Sequence, residues 1–327
     1  MGLNWLITGG CGFIGRNLIS DLLNEGGHSI RVVDNLSVGT LEELCSVASP
    51  VVADIDNVTS ALTGVEFVEA DIRSIDAAMQ VCSGIDVVVH LAANTGVGPS
   101  VEDPLFDCHS NVLGTLNYLE SSRQNGVKKF IFASSGAPAG EVEPPIHEEI
   151  VPKPVSPYGA SKLAGEGYCS SYSRCFELDT VALRFGNVYG PLSVHKSSVV
   201  AKFINQALSG EPLCVFGDGT QTRDFIYVGD LIQAIKSAAN TPGIGGEIFQ
   251  IATSEETTIQ NMMSVLVQEL QNHGVAEPTI KYTESRLGDV KRNYSDTSKA
   301  KAMLNWESKT NLKEGISKTI QYFLEQK

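Results

Sequence analysis

Residues 1–15 read Met-Gly-Leu-Asn-Trp-Leu-Ile-Thr-Gly-Gly-Cys-Gly-Phe-Ile-Gly. Leu3, Trp5, Leu6 and Ile7 have the character of a short buried strand. The run meets Gly9, Gly10, Gly12 and Gly15, and Phe13, Ile14, Leu18, Ile19, Leu22 and Leu23 then recur at helical spacing. Glycines at a strand-to-helix junction allow a tight turn and bring backbone N–H groups against a pyrophosphate. The positive end of the helix holds that anion. The spacing fits G-x-G-x-x-G through Gly10, Gly12 and Gly15, and equally G-x-x-G-x-x-G through Gly9, Gly12 and Gly15. A glycine string alone also fits a plain strand–helix turn. A second strand, Ser29 to Val33, decides for a dinucleotide because it ends in Asp34, where an acidic partner for the adenosine ribose is expected. Asp34 predicts NAD rather than NADP, since a ribose 2′-phosphate would meet a like charge. Asn35, Leu36 and Ser37 follow without an arginine, and Arg31 lies inside the strand.

The 327 residues suffice for a large core and two lobes of one α/β unit. A net charge of −14 argues against a nucleic-acid or anionic-membrane partner, so phosphates must be held by local arginines and helix ends. Cys11, Cys45, Cys82, Cys108, Cys169, Cys175 and Cys214 are scattered without a C-x-x-C pair. They read as reduced apolar residues, not a disulfide frame or zinc site, and no His/Cys/carboxylate cluster predicts a metal. The first strand leaves no room for a signal peptide, and no apolar run reaches membrane-spanning length. The expected location is the cytoplasm.

Further strands are expected at 65–70, 85–91, 128–133 and 180–185, with helices at 104–125 and 157–173 between them; residues 41–63 carry little signal beyond some helix. Strands alternating with helices predict a Rossmann-like doubly wound parallel sheet. Beyond it, helical patterns at 196–209, 230–239, 258–271 and 311–325 alternate with short strands near 213–216, 223–227, 247–251 and 278–282. They suggest a smaller C-terminal α/β substrate lobe.

Tyr158-Gly-Ala-Ser-Lys162 opens a helix and projects Tyr158 and Lys162 from one face. A free tyrosine, with a pKa of about 10, is a poor base at neutral pH. A nearby ammonium and a positive nicotinamide ring favour its phenolate. Ser134 and Ser135 follow a strand end, where α/β sites gather, and a hydroxyl there can hold a substrate oxygen against the tyrosine. Alone, Y-x-x-x-K also describes a solvated helix face; its place after the glycine turn and the serines favours chemistry.

With these motifs the chain resembles the extended short-chain dehydrogenase/reductase family, and within it the nucleotide-sugar 4-epimerases. The resemblance runs through Thr8–Gly15, Asp34–Ser37, Asp71-Ile72, His90–Ala93, Ser134-Ser135, Tyr158–Lys162, Leu183–Gly190, Gly217–Asp224 and Arg286–Asp289. It implies a bound NAD contacted by Gly9, Gly12, Phe13, Ile14, Gly15, Asp34, Asn35, Asp71, Ile72, Leu91, Ala92, Ala93, Tyr158 and Lys162. Tyr158 would take the proton from the sugar 4-hydroxyl while hydride leaves C4, and the 4-keto sugar would turn and accept hydride on its other face. Lys162 would hold the nicotinamide ribose, and Ser135 would bridge the 4-oxygen, with Ser134 also against substrate. Asn187, Arg223 and Arg286 would supply donors to the substrate, and Asp289 would accept from the nucleotide ribose; a surface ion pair is the plainer reading of each arginine. Asn293, seven residues after Arg286, would border the hexose near C2. His90 reads as structural.

The implied reaction is C4 epimerisation of a UDP-hexose, UDP-glucose/UDP-galactose and also UDP-GlcNAc/UDP-GalNAc. Gly136 and Ala137 follow the serine where dehydratases and decarboxylases carry acidic residues, which favours oxidation and re-reduction alone. The family's aromatic before Gly140 is absent, and no lysine stands at Asn94-Thr95-Gly96. The rivals are a UDP-glucuronate epimerase, a decarboxylase or dehydratase, and a non-catalytic NAD-binding regulator, which would usually lack Tyr158 or Lys162. Residues 1–186 with 225–252 are expected to bind NAD, and 187–224 with 253–327 the sugar nucleotide. The resemblance also implies a homodimer through helices 104–125 and 157–173.

Overall fold

The computed structural model describes residues 2–195, 198–284 and 291–326. The chain begins β1 (Asn4–Thr8), α1 (Phe13–Glu25), β2 (Ser29–Asp34), α2 (Leu41–Cys45), β3 (Val51–Val52), β4 (Val65–Glu69), α3 (Ile75–Val81) and β5 (Val87–His90). It continues through α4 (Val97–Glu102), α5 (Pro104–Cys108), α6 (Gly114–Gln124), β6 (Lys129–Ser135), α7 (Pro157–Phe176), β7 (Asp179–Phe185), β8 (Asn187–Tyr189) and α8 (Val199–Leu208). Then come β9 (Leu213–Phe216), β10 (Thr222–Arg223), β11 (Phe225–Tyr227), α9 (Val228–Asn240), β12 (Glu247–Ile251) and β13 (Thr257–Thr258). The last elements are α10 (Ile259–Asn272), β14 (Ile280–Thr283), α11 (Ser298–Leu304) and α12 (Leu312–Glu325).

Eight strands make one sheet in the order β12-β7-β6-β5-β1-β2-β4-β3. The pairings of β1 with β2 and β5, of β4 with β2 and β3, and of β5 with β6 are parallel. Parallel strands need crossover helices that cover both faces, so their residues are apolar almost without interruption. Trp5-Leu6-Ile7 and Val87-Val88-Val89 are accordingly buried. Strand order reverses at β1, the switch point beyond whose carboxyl end ligands bind in such sheets. The doubly wound, Rossmann-like expectation holds.

The chain packs as two compact units. The first comprises Met1–Glu141, Ile150–Arg184 and Ile235–Phe249. Its core joins Leu6, Val88, Phe130 and Phe132 of the sheet to Tyr118 of α6 and Tyr172 of α7. The second comprises Val142–Glu149, Phe185–Ala234 and Gln250–Lys327. There α8, α10 and α12 bury Phe203, Ile204, Met262, Leu266, Ile316, Ile320 and Phe323. Each such side chain contributes about 1.5–3 kcal/mol on burial.

These units differ from the expected boundaries: 142–149, 185–186, 225–234 and 250–252 belong to the second. Hydrogen bonds explain the first of these. Ile146 N–H donates to the Tyr294 carbonyl, Asp296 N–H to the Ile146 carbonyl, and Gln250 N–H to Glu148 Oε1.

The expected helix 104–125 is broken: α5, N-capped by Asp103, passes through a π-helical turn at His109–Leu113 into α6. The expected strand 223–227 is two strands, β10 and β11, and α3, α4, α11 and β8 had no forecast. Segment 41–63 holds α2, β3 and a 3-10 turn at Ile55–Asn57. Fully buried Arg31 helps pin it, donating to the carbonyls of Thr59, Val81 and Ser83 and pairing with Glu66. Among the described residues no helix is long and apolar enough to cross a membrane.

Candidate active site

The glycine turn has the shape a dinucleotide needs. Gly9 has φ +69°, and a Cβ on it would stand 2.8 Å from the Ala92 nitrogen; one on Gly15 would stand 2.6 Å from the Gly10 Cα. A side chain on Gly9 would collide with the chain leaving β5, and one on Gly15 would push α1 away from the glycine turn. Helix α1 starts at Phe13 with Gly12 as its N-cap and no side-chain cap, so no side chain competes for the helix end where a phosphate would lie. Ile14 is half-buried there.

Asp34 ends β2 beside this turn. Its Oδ2 accepts from Cys11 N–H at 3.0 Å and its Oδ1 from Leu36 N–H at 2.9 Å. Burial raises its carboxyl while those N–H groups oppose the rise. Asn35 Nδ2 donates to Asp71 Oδ2 at 3.3 Å, and Arg73 holds Asp71 down at about 2. Ile72 has its side chain in the core and its carbonyl bonded to Asn117 Nδ2, so any cofactor contact it makes comes from what remains of its backbone. Leu91, Ala92 and Ala93 are half-buried at the end of β5. Thr8 fixes them: its hydroxyl accepts from Ala92 N–H at 3.2 Å and bonds His90 Nδ1 at 2.9 Å. His90 is fully buried and stacked among Tyr118, Phe130 and Phe132, the structural role expected of it.

Helix α7 carries the reacting pair. Ser156 caps it by accepting from Gly159 N–H at 3.1 Å, and Pro157 occupies its first turn. A Cβ on Gly159 would lie 2.7 Å from the Ala137 oxygen, so only glycine lets this turn lie so close to the loop after β6. That closeness brings the Tyr158 phenol near Ser135. Lys162 stands one turn on, its Nζ 5.9 Å from the Tyr158 ring centre and 4.8 Å from that of Phe132, and donates to the Ala133 carbonyl at 2.9 Å.

Burial pushes the Tyr158 phenol up to about 12; the Ser135 bond opposes this and the Asp107 carboxylate adds to it. Burial brings the Lys162 ammonium down to about 8, and Asp107 opposes that fall. The expectation that the Lys162 ammonium and a cationic nicotinamide together favour the phenolate meets an opposing effect: burial holds the phenol protonated at neutral pH, and those two positive charges must offset it.

Ser134 is buried, and its hydroxyl donates to Glu166 Oε1 at 2.6 Å. Glu166 in turn takes two bonds of 2.7 Å from Arg184, both side chains almost fully buried. Adjacent residues on a strand point to opposite faces, so the Ser134 hydroxyl is committed to Glu166 and lies on the face opposite Ser135. Removing Arg184 alone would leave a buried carboxylate and cost about 3–5 kcal/mol.

The second unit gathers other residues around β10. Arg223 Nη1 donates to the Thr222 carbonyl at 2.7 Å. Asn293 N–H donates to Thr222 Oγ1 at 3.2 Å, and Asn187 N–H to the Asp224 carbonyl at 2.8 Å. Asp224 is buried and takes bonds from Thr253, Ser254 and Ser295. Arg292 was not anticipated; Glu256 and Glu143 pair with it, and its guanidinium lies 5.9 Å from the Tyr294 ring centre. Arg286 and Asp289 lie outside the described residues.

Residues 5–252 match the model of the NAD dependent epimerase/dehydratase family. The chain belongs to that family. Its cofactor is NAD. It is 35% identical over 323 residues to the UDP-glucose 4-epimerase of Mycolicibacterium smegmatis, covering 97% of each chain. It resembles the UDP-glucose 4-epimerase of Thermus thermophilus, solved with NAD, with TM-score 0.84 and 34% identity over 98% of this chain and 99% of that one. It also resembles the UDP-N-acetylglucosamine 4-epimerase of Methanobrevibacter ruminantium, solved with UDP-N-acetylmuramic acid, with TM-score 0.88 and 29% identity over 100% and 99%. These family members differ in the sugar they carry.

Family membership leaves several structural residues to geometry. Asn111 sits in the π-helical turn; its Nδ2 donates to Asp107 Oδ1, Ser161 Oγ and the Asn94 carbonyl, and its Oδ1 accepts from Asn94 N–H. No periodicity marks it. Glu166, four residues after Lys162, and Arg184, a charge inside an apolar strand, carried the only sequence hints of the buried pair.

Proposed function

We propose that the protein interconverts C4 epimers of a UDP-hexose through a transient 4-keto sugar. The reading rests on one observation: Lys162 stands one turn from Tyr158, whose phenol lies near Ser135, and Gly136 and Ala137 add no proton-transfer group. NAD, when bound, supplies the hydride acceptor and donor for C4. Tyr158 accepts the proton of the 4-hydroxyl and returns it, Ser135 fixes the oxygen, and Lys162 contributes positive charge and holds the nicotinamide ribose. The first unit is assigned to NAD. Asn187, Arg223 and Asn293 of the second are assigned to the sugar nucleotide, with Arg286 and Asp289 on the strength of the resemblance.

The test is incubation of purified protein with a panel of UDP-sugars, no cofactor added, followed by separation of C4 epimers. Epimers of UDP-glucose or UDP-GlcNAc without net NADH support the reading. Net NADH, released CO2 or loss of water would transfer it to an oxidoreductase, decarboxylase or dehydratase.

A further inference from the structure

Asp107 lies on α5 with only 1% of its surface exposed. Its Oδ1 accepts from Asn111 Nδ2 at 3.0 Å and from Asn94 Nδ2 at 3.4 Å. Its Oδ2 is buried with no hydrogen-bond partner among the described residues. A buried carboxylate with one oxygen unsatisfied is costly unless a cation compensates it. From Asp107 the bonds run on through Asn111 to Ser161 Oγ at 3.1 Å, and Ser161 Oγ donates to the Tyr158 carbonyl at 3.0 Å. The chain of contacts thus ends in the turn of α7 that carries Tyr158 and Lys162.

Lys162 is also buried and needs a counter-charge. Glu166, one turn further along α7, is already matched by two bonds from Arg184 of β7 and one from Ser134 of β6. Cys169 of α7 and His90 of β5 complete the titratable groups acting near Lys162, and burial keeps the first a thiol and the second a neutral imidazole. Tyr158 is protonated at neutral pH. That leaves the carboxylate of α5.

We propose that Asp107 is a positioning residue: its buried carboxylate is the counter-charge of Lys162 and, through Asn111 and Ser161, fixes the α7 turn bearing Tyr158 and Lys162. The inference builds on the reading of Tyr158 and Lys162 as the reacting pair. Asp107 opposes the loss of the Lys162 proton and also disfavours the Tyr158 phenolate, so it trades some base strength for a lysine that stays charged.

The test follows the Lys162 side chain by NMR in protein labelled with [ε-13C]lysine, its signal assigned by absence in Lys162→Arg. Asp107→Asn keeps an oxygen to accept from Asn111 but removes the charge. The Lys162 midpoint is expected to fall by about one unit or more in that variant, and to stay near the wild-type value in Asp107→Glu. Equal midpoints in wild type and Asp107→Asn would overturn the proposal. Thermal melting checks folding, and Asp107→Ser replaces Asp107→Asn should the latter not fold, with the same two outcomes. The titration needs no turnover, so a protein that epimerises no UDP-sugar would sink the proposed function and leave this result readable.

Discussion

The Nζ of Lys162 stands 5.9 Å from the centre of the Tyr158 ring while its hydrogen bond goes to the Ala133 carbonyl. The ammonium therefore spends that bond on the backbone, and the phenol lies near the Ser135 side chain. Tyr158→Phe removes the base without disturbing the turn, so kcat should fall by about 10²–10⁴-fold with NAD still extractable from the purified protein. Ser135→Ala removes one hydrogen bond and should cost about tenfold. A Tyr158→Phe variant retaining half of wild-type turnover would refute the mechanism.

Lys162 is brought down to about 8 by burial, so its charge is present below that pH and lost above it. Retained NAD and turnover should both decline above about pH 8, whereas Lys162→Arg, which stays charged, should show no such limb in NAD retention. Gel filtration across the pH range followed by nucleotide extraction measures this. Retention that stays flat to pH 10 in the wild type would count against the assignment.

The parts of the site legible in the sequence are those fixed by local chemistry. Glycines at Gly9, Gly12 and Gly15, an acid ending β2 at Asp34, and Tyr158 and Lys162 one turn apart each state their geometry within a few residues. Asp107, Asn111, Glu166 and Arg184 do not, because their value depends on partners from other elements: Glu166 meets Arg184 18 residues on, and Asn111 meets Ser161 50 residues on. The break at His109–Leu113 was hidden for a related reason, since an apolar period continues through a π turn. Ser134 and Ser135 could have been separated by strand alternation alone, and were not.

His90 makes a prediction about acid stability. Burial lowers its imidazole from 6.5 to about 3. Below about 6.5 the unfolded chain therefore takes up a proton that the folded protein refuses, and stability falls with pH until about 3. Between pH 6 and 5, before most carboxylates titrate, the loss should be about 1 kcal/mol per unit. Urea unfolding at the two pH values measures it, and His90→Leu should be flatter by that amount. Equal slopes would mean that His90 takes its proton in the folded state.

The helix faces expected to pair across a two-fold axis are open. Leu113 is 47% exposed, Leu116, Leu163 and Ala164 are half-buried, and Gly167 is exposed, with Leu105 at 75% and Phe106 at 42% nearby in sequence. Residues that served only the core would be covered. We therefore expect a homodimer in solution, weakened by Leu113→Glu. Light scattering that gives a monomer at micromolar concentration rules it out.

Asn293 yields the prediction about substrate size. Its N–H is anchored to Thr222 Oγ1 next to Arg223, it is half-buried, and its neighbour Tyr294 is occupied elsewhere, with its ring near Arg292 and its carbonyl bonded to Ile146. The resemblance puts this position beside C2 of the hexose, where a bulky aromatic excludes an N-acetyl group and a small amide admits one. We propose that UDP-GlcNAc and UDP-GalNAc are interconverted at least as well as the unacetylated pair, with the Asn293 amide able to bond the acetamido oxygen. Asn293→Tyr should then lower kcat/KM for UDP-GlcNAc by tenfold or more, a transition-state loss of about 1.4 kcal/mol or greater, and leave UDP-glucose close to wild type. Comparing kcat/KM for the two substrates in both proteins decides the matter. Equal effects on both sugars would remove Asn293 as the gate. A wild type that ignores UDP-GlcNAc would place the restriction at another residue of the sugar site.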